Sequence, residues 1–362
     1  IEGLTSARSV TWNEQTCAAP TVAGIATLIH SDRKLIEEDL EVLTGGLPCT
    51  VLTDRADVLS IAPAWSDLLE RSSCNRAFGG PSWYLAALDV QPDVEPRVLV
   101  TYRDGVLVGV RALVWDREKG VTRFASDLSD FNDAVVALND LAAARRLMAA
   151  ARARFPALDL RCVRSDAACA LSARPTIVPI DPKIPCPFAD IATGYETWLT
   201  SRAGSFRSDL GRVERRAAAH GLRVERLDPA RHGGLELPAL FLMLQRQRFG
   251  DGSLFARNPV AAAFVERALP AAFQDRAALV FGLWSRDNLV GLNICMVGSD
   301  SLGYWNAGFH ADYAGFSPGT LMVHAALREA CDRGLAEFDF LRGREAYKMK
   351  WCTGIREIGR LP

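Results

Sequence analysis

The chain has 362 residues, 42 Lys and Arg against 43 Asp and Glu, a formal net charge of −1 and 49% hydrophobic residues. That length allows two domains with sizeable cores, and the charge balance excludes a general polyanion-binding surface while leaving room for a local basic groove. Nine cysteines without a Cys-x-x-Cys pair and five histidines without His-Glu-x-x-His spacing predict reduced thiols and no metal site.

No run reaches the roughly 18 apolar residues of a membrane helix. Residues 18–29 lack the basic flank of a signal peptide, so a cytoplasmic protein without a membrane span is expected. Residues 1–50 show no strong period and end in Gly45-Gly46-Leu47-Pro48. They read as an irregular extension with a short helix over 33–43. Helices follow around 63–71 and 81–88. A hairpin then spans Val98 to Val110, with Asp104-Gly105 at the turn between alternating apolar residues. A helix over 139–154 leads into a strand over 158–163.

Pro175, Pro179, Pro182, Pro185 and Pro187 predict an extended connector over 175–190. Residues 195–221 read as helix, with Trp198, Phe206, Leu210 and Val213 on one face. Arg202, Arg207, Arg212, Arg215 and Arg216 occupy the other. Such a face is either solvated or a contact for a phosphate-bearing substrate. A second hairpin covers 280–292, followed by a strand over 302–309, a turn over 311–318, a helix over 319–333 and a strand over 337–341.

The second half therefore repeats the order of the first. With an offset of 182, Leu107-Val108-Gly109 falls on Leu289-Val290-Gly291, and Tyr102 falls on Trp284. A duplicated domain follows. Its divisions are an extension at 1–50, a first domain at 51–174, the connector at 175–190 and a second domain at 191–362. The first copy ends at Cys162-Val163-Arg164. The second ends in Phe338-Asp339-Phe340-Leu341-Arg342-Gly343 and then Tyr347-Lys348-Met349-Lys350-Trp351. Two of the chain's five lysines lie in that last segment, against thirty-seven arginines overall. A compact ammonium differs chemically from a planar guanidinium, so a local requirement for Lys is expected there, with Lys350 read as a surface charge.

The second hairpin, the basic helix, the turn Tyr313-Ala314-Gly315-Phe316-Ser317-Pro318-Gly319 and this ending resemble the CelD-like branch of the GNAT N-acyltransferase superfamily. The resemblance covers about 55–361 and is most specific in the last 60 residues. It implies an α/β fold of two tandem GNAT-like domains, each a mixed, mostly antiparallel sheet flanked by helices. These are related to the Fem-type aminoacyl transferases, and the N-terminal copy is degenerate. It also implies acyl-CoA (acetyl-CoA or longer) as co-substrate, no metal, and the amine of a sugar or small metabolite as acceptor in a polysaccharide or natural-product pathway.

The resemblance puts the pyrophosphate on the turn before the last helix, at Gly315, Ser317, Gly319 and Thr320. A helix start with free N–H groups is a natural anion site, and the same residues also serve simply to cap and bend a helix. The family's Arg/Gln-x-x-Gly-x-Gly/Ala falls on Phe316 to Leu321 and retains only Gly319. That departure keeps aminoacyl-tRNA open as the competing donor, and a non-catalytic subunit of a polysaccharide assembly as a third reading. DNA is not an expected partner, and the oligomeric state is unassigned.

N-acyl transfer needs an oxyanion donor and a route for the proton. Strand N–H groups near Asn306 and Gly308 are the expected donor, although a glycine there equally permits a bulge. Asp339, flanked by two Phe, is read as a base or amine anchor, or as the partner of an arginine such as Arg342. Tyr347 corresponds by resemblance to the tyrosine that protonates the leaving thiolate, with a backbone-bonded buried Tyr as the alternative. Lys348 is read as binding a phosphate or carboxylate, and His310 as a proton relay or a structural hydrogen-bond partner. Arg207, Arg342 and Trp351 are the candidate substrate contacts, Trp351 alternatively filling core. A loop over 250–259 is expected to border the acceptor cleft.

Overall fold

A computed structural model describes residues 47–172 and 178–361, with the side chains of 178–183 left out. The expected helix over 33–43 lies outside the described residues. Strands run in the order β1 (Cys49–Leu52), β2 (Val94–Arg103), β3 (Val106–Asp116), β4 (Val121–Phe124), β5 (Val135–Val136), β6 (Leu158–Val163) and β7 (Val178–Asp190). They continue with β8 (Leu222–Arg226), β9 (Ala278–Ser285), β10 (Asn288–Val297), β11 (Ser301–Phe309), β12 (Glu337–Asp339) and β13 (Gly354–Leu361). The longer helices are α1 (Arg55–Glu70), α2 (Pro81–Val90), α3 (Leu141–Arg154), α4 (Tyr195–Thr200), α5 (Gly204–Ala219), α6 (Leu237–Phe249), α7 (Pro259–Gln274) and α8 (Pro318–Asp332).

Among the described residues all the strands join one sheet, ordered β1-β2-β3-β4-β6-β13-β7-β12-β11-β10-β9-β8, with β5 beside β3. Two pairs are parallel, β4 with β6 and β11 with β12; the rest are antiparallel. Each parallel pair is bridged by a helix, α3 in the first half and α8 in the second, because parallel neighbours need a crossover. The halves also share a bulge. Thr101 pairs Gly109 and Tyr102 pairs Leu107, which leaves Val108 extra. Leu283 pairs Gly291 and Trp284 pairs Leu289, which leaves Val290 extra. Both bulges fall on the 182-residue offset, so the repeat holds at the level of backbone register.

Three cores result. One lies under α3 and buries Leu99, Leu113, Leu147 and Leu160. Another lies under α5 and α8 and buries Trp198, Phe281, Phe338 and Phe340. The third is shared: Trp65 and Trp83 of the first half pack with Phe241, Phe264 and Trp305 of the second. Trp83 sits edge-on to Phe264 at 4.7 Å and to Trp305 at 5.6 Å. Removing such an aromatic typically costs about 3–5 kcal/mol, so this core fixes one half against the other.

Three elements differ in detail from the sequence expectation. The Pro-rich segment is, over its described part Val178–Asp190, a strand of the sheet between β12 and β13; 175–177 lie outside the described residues. The helix expected over 195–221 breaks at 201–203, where Arg207 donates to the Thr200 and Arg202 carbonyls. The segment expected as a loop over 250–259 is a 3₁₀ turn and a short helix, Leu254–Arg257. Its Asn258-Pro259 caps and starts α7, Asn258 accepting from the Ala261 N–H.

Candidate active site

The parallel strands β11 and β12 pair at only three positions, Ser301 with Glu337, Leu302 with Phe338 and Gly303 with Asp339. β11 runs on to Phe309, so the strands part beyond Gly303. The chain leaves β11 at His310, makes a 3₁₀ turn over Ala311–Phe316 and enters α8 through Ser317. Ser317 is left-handed at φ 56°, and no side chain caps the helix. Pro318 at the first helical position has no N–H to satisfy. A Cβ on Gly319 would meet nothing within 4 Å. The Ser317 N–H bonds the Ala314 carbonyl and the Thr320 and Leu321 N–H groups bond that of Ser317, so this helix start presents the single free N–H of Gly319 and the positive end of its dipole to open space.

A cavity of about 620 Å³ lies there, and its lining includes Ser317, Thr320, Tyr347 and Trp351. Trp351 stacks on Trp198 at 5.8 Å and meets Phe206 edge-on at 5.0 Å, so it is both core and wall. The Tyr347 ring stands 6.3 Å from that of Tyr304. Burial, followed by the neighbouring Tyr304 and Glu345, pushes the Tyr347 phenol far above its ordinary pKa. It is a protonated hydroxyl at any physiological pH, able to donate a hydrogen bond to a charged atom beside it.

Two arginines of the basic face and the lysine read as a surface charge complete this wall. Arg202, Arg212 and Lys350 line the cavity together with Asp209. Arg202 is anchored on the Cys352 carbonyl, and Arg212 pairs with Asp209 at 2.9 Å. The helical period over 195–221 puts both arginines on one polar face with Arg207; in the structure Arg202 falls in the break before α5 and Arg212 on α5, and the position of the cavity separates both from Arg207. Arg207 lies outside the lining, its guanidinium committed to the break before α5.

Lys348 and Lys350 exchange the roles expected of them. Lys348 is buried: its Nζ donates to the Arg342 carbonyl at 2.7 Å and pairs with Glu345 at 2.9 Å. It fastens the turn before Tyr347 and does not reach the cavity. Arg342 likewise is no free phosphate ligand. It bonds the buried Asp130 and donates to the Asp127 carbonyl at 2.8 Å, tying the second half to the first.

The remaining candidates lie elsewhere. Gly308 faces α6, where an added Cβ would come 2.7 Å from Gln245 N and Leu244 C, so helix packing requires this glycine. Asn306 accepts from Gln245 Nε2 at 3.3 Å, and the Ala307 carbonyl accepts from Gln245 at 2.9 Å and Arg248 at 3.0 Å. His310 Nδ1 accepts from the Asp312 N–H at 3.4 Å and lines neither large cavity. Gly315 lies beside Arg216, whose guanidinium covers the Phe316 ring at 5.1 Å. Asp339 points away from Phe338 and Phe340, as strand alternation requires, into a second cavity. Burial, with Glu337 beside it, raises its pKa to about 7 against the pull of Arg356 and Arg164. Among the described residues no group of three or more His, Cys, Asp or Glu is placed to hold a metal, and no helix is long and apolar enough to cross a membrane.

Sheet order, crossovers and the parting of β11 from β12 define an α/β protein of two tandem GNAT-like folds. Residues 204–349 match the family described as acetyltransferase (GNAT) domain. No curated protein matches the chain by sequence. Among solved structures it is similar to FemX, with 14% identity and a TM-score of 0.56 over 86% of this chain and 96% of that one. It is also similar to the C-terminal domain of a putative lysylphosphatidylglycerol synthetase from Agrobacterium fabrum, at 14% identity and TM-score 0.54 over 84% and 91% of the two chains. The third such structure is L-PGS from Bacillus licheniformis, at 12% identity and TM-score 0.52 over 82% and 90%. These likenesses are of fold.

Proposed function

We propose that this protein is an N-acyltransferase of the CelD-like kind, working in the cytoplasm. It moves an acyl group from acyl-CoA to the amine of a sugar or small metabolite. The domain at 191–362 carries the site, and the domain at 51–174 supports it. The observation that carries this reading is the uncapped start of α8 opening into the same cavity as the protonated Tyr347.

The residues fit the donor. The free N–H of Gly319 and the hydroxyl of Thr320 suit a pyrophosphate, and Arg202, Arg212 and Lys350 supply positive charge along the wall. Coenzyme A would present the acyl thioester. Tyr347, in the lining of the same cavity, holds a proton at its hydroxyl that it would direct to the leaving sulfur as charge develops there, and Trp351 and Phe206 exclude water from that side.

Calorimetry with acetyl-CoA, a longer acyl-CoA and free coenzyme A tests the reading. Micromolar binding of at least one is expected, and binding of none overturns it. The exposed arginines of α5 favour an aminoacyl-tRNA donor as the second reading. A filter assay with charged tRNA detects that donor if the coenzyme fails.

A further inference from the structure

The second cavity, of about 290 Å³, lies between the two halves on the face of the sheet opposite α8. Its floor is formed by Glu337 and Asp339 of β12, with Arg164 from the segment after β6. Its wall comes from the first half and includes Trp65, Trp83 and Tyr84. The polar tips of these rings are already bonded elsewhere. Trp65 Nε1 donates to the Gly79 carbonyl at 2.9 Å, Trp83 Nε1 to Ser129 Oγ at 3.0 Å, and the Tyr84 hydroxyl to the Leu113 carbonyl at 2.7 Å. Ring carbon is what they offer the cavity.

The floor has the opposite character. Glu337 Oε1 and Asp339 Oδ2 are buried acceptors without a hydrogen bond, and Asp339 is 1% exposed. Arg164 Nη1 stands 3.5 Å from Asp339 Oδ2 and 3.8 Å from Glu337 Oε1, and Arg356 Nη1, a buried donor without a hydrogen bond and outside the cavity lining, stands 3.6 Å from Asp339 Oδ2; these are ion-pair distances, not hydrogen bonds. Arg164 bonds Asp166 at 2.6 Å, and Arg356 bonds the other oxygen of Glu337. Three carboxyl groups, Asp166, Glu337 and Asp339, thus face two guanidiniums, and all three are ionised above about pH 7. Asp133, also in the lining, already accepts from the Ala134, Ala168 and Cys169 N–H groups. Unbonded buried acceptors cost free energy that a donor would recover, and a cation is further favoured against aromatic faces.

We propose that this cavity binds a small amine with an apolar body. Its ammonium donates to Glu337 Oε1 and Asp339 Oδ2, and its body lies against Trp65, Trp83 and Tyr84. The volume is at the small end of ligand pockets, which run from roughly 300 Å³ upward, and favours a metabolite-sized amine over a nucleotide-linked sugar. Gly303 and Asp339 are the last paired residues of β11 and β12, so the cavity sits where these strands part. That the amine is the acyl acceptor rests on the function proposed above; that it binds does not.

Calorimetry without any coenzyme, using phenethylamine, its neutral analogue 2-phenylethanol and the anion phenylacetate, tests the proposal. The amine should bind at least 10-fold more tightly than either. Glu337→Gln and Asp339→Asn should each lose 10-fold or more in amine affinity. Ala112→Phe, which fills the cavity from its wall away from the charges, should abolish binding and keeps the test decisive if the acidic variants do not fold. Equal binding of amine and alcohol, tighter binding of phenylacetate, or wild-type affinity in Ala112→Phe would overturn it. A protein that binds the amine but no coenzyme A leaves this site standing and removes the acyl-CoA reading; the converse removes only this site.

Discussion

The two halves place the same helix after the same strands and treat its first turn in opposite ways. In the first half, α3 is capped by Asp140, which accepts from the Ala143 N–H at 3.1 Å and is gripped by Arg103 at 3.0 Å. The protein's own carboxylate fills the anion site. In the second half, α8 begins at a left-handed Ser317 with no cap, and its first turn opens on a cavity. A helix start favours negative charge in either case. What differs is whether that charge is built in or, on the function proposed above, left for a ligand.

The halves also treat the acid of the last parallel strand differently, and this gives the largest expected effect. Asp159 of β6 is half-buried and held by Arg161, whereas Asp339 of β12 is buried with a pKa near 7. The native state then binds more protons than the unfolded chain between about pH 4 and 7. The Asp339 contribution to stability is full below pH 4 and is lost as pH rises through 7, a change of about 4 kcal/mol. Urea unfolding at pH 5 and pH 8 should show about 2.7 kcal/mol of that decline in the native sequence and a much flatter profile in Asp339→Asn. Equal slopes would remove the contrast.

Gly319→Glu gives the second half the carboxylate that the first already has. Coenzyme A affinity by calorimetry should fall at least 100-fold, about 2.7 kcal/mol. Retained affinity would mean that the α8 start is not the anion site. Tyr347→Phe removes the proton donor and little else, so kcat should drop on the order of 100-fold with KM within about 2-fold. The smallest effect belongs to the first half. Asp140→Ala should cost about 1 kcal/mol in thermal or urea unfolding and leave coenzyme A affinity unchanged. A loss of affinity there would show that the first copy also takes part in binding.

Much of the architecture is legible in the residues. Asp104-Gly105 and the alternation around it define the first hairpin, and Leu289-Val290-Gly291 repeats Leu107-Val108-Gly109 down to the bulged valine. The Ser-Pro-Gly start of α8 and the alternation that turns Asp339 away from Phe338 and Phe340 are equally local. The site is legible only in part. Ser317, Thr320, Tyr347 and Trp351 meet around one cavity, whereas Lys348, Arg342, Arg207 and Gly308 have partners or neighbours that composition cannot show.

The sequence by itself determined the repeat, the strand and helix types and the turn chemistry, because these depend on residues a few positions apart and on backbone preference. Tertiary structure decided which of two lysines is buried against a carbonyl and which faces a cavity. It also decided that Arg342 serves Asp130 across the two halves and that Gly308 yields to a helix. Each of those outcomes depends on a group distant in the chain, and a buried charge or a close backbone contact acquires its meaning only from that neighbour.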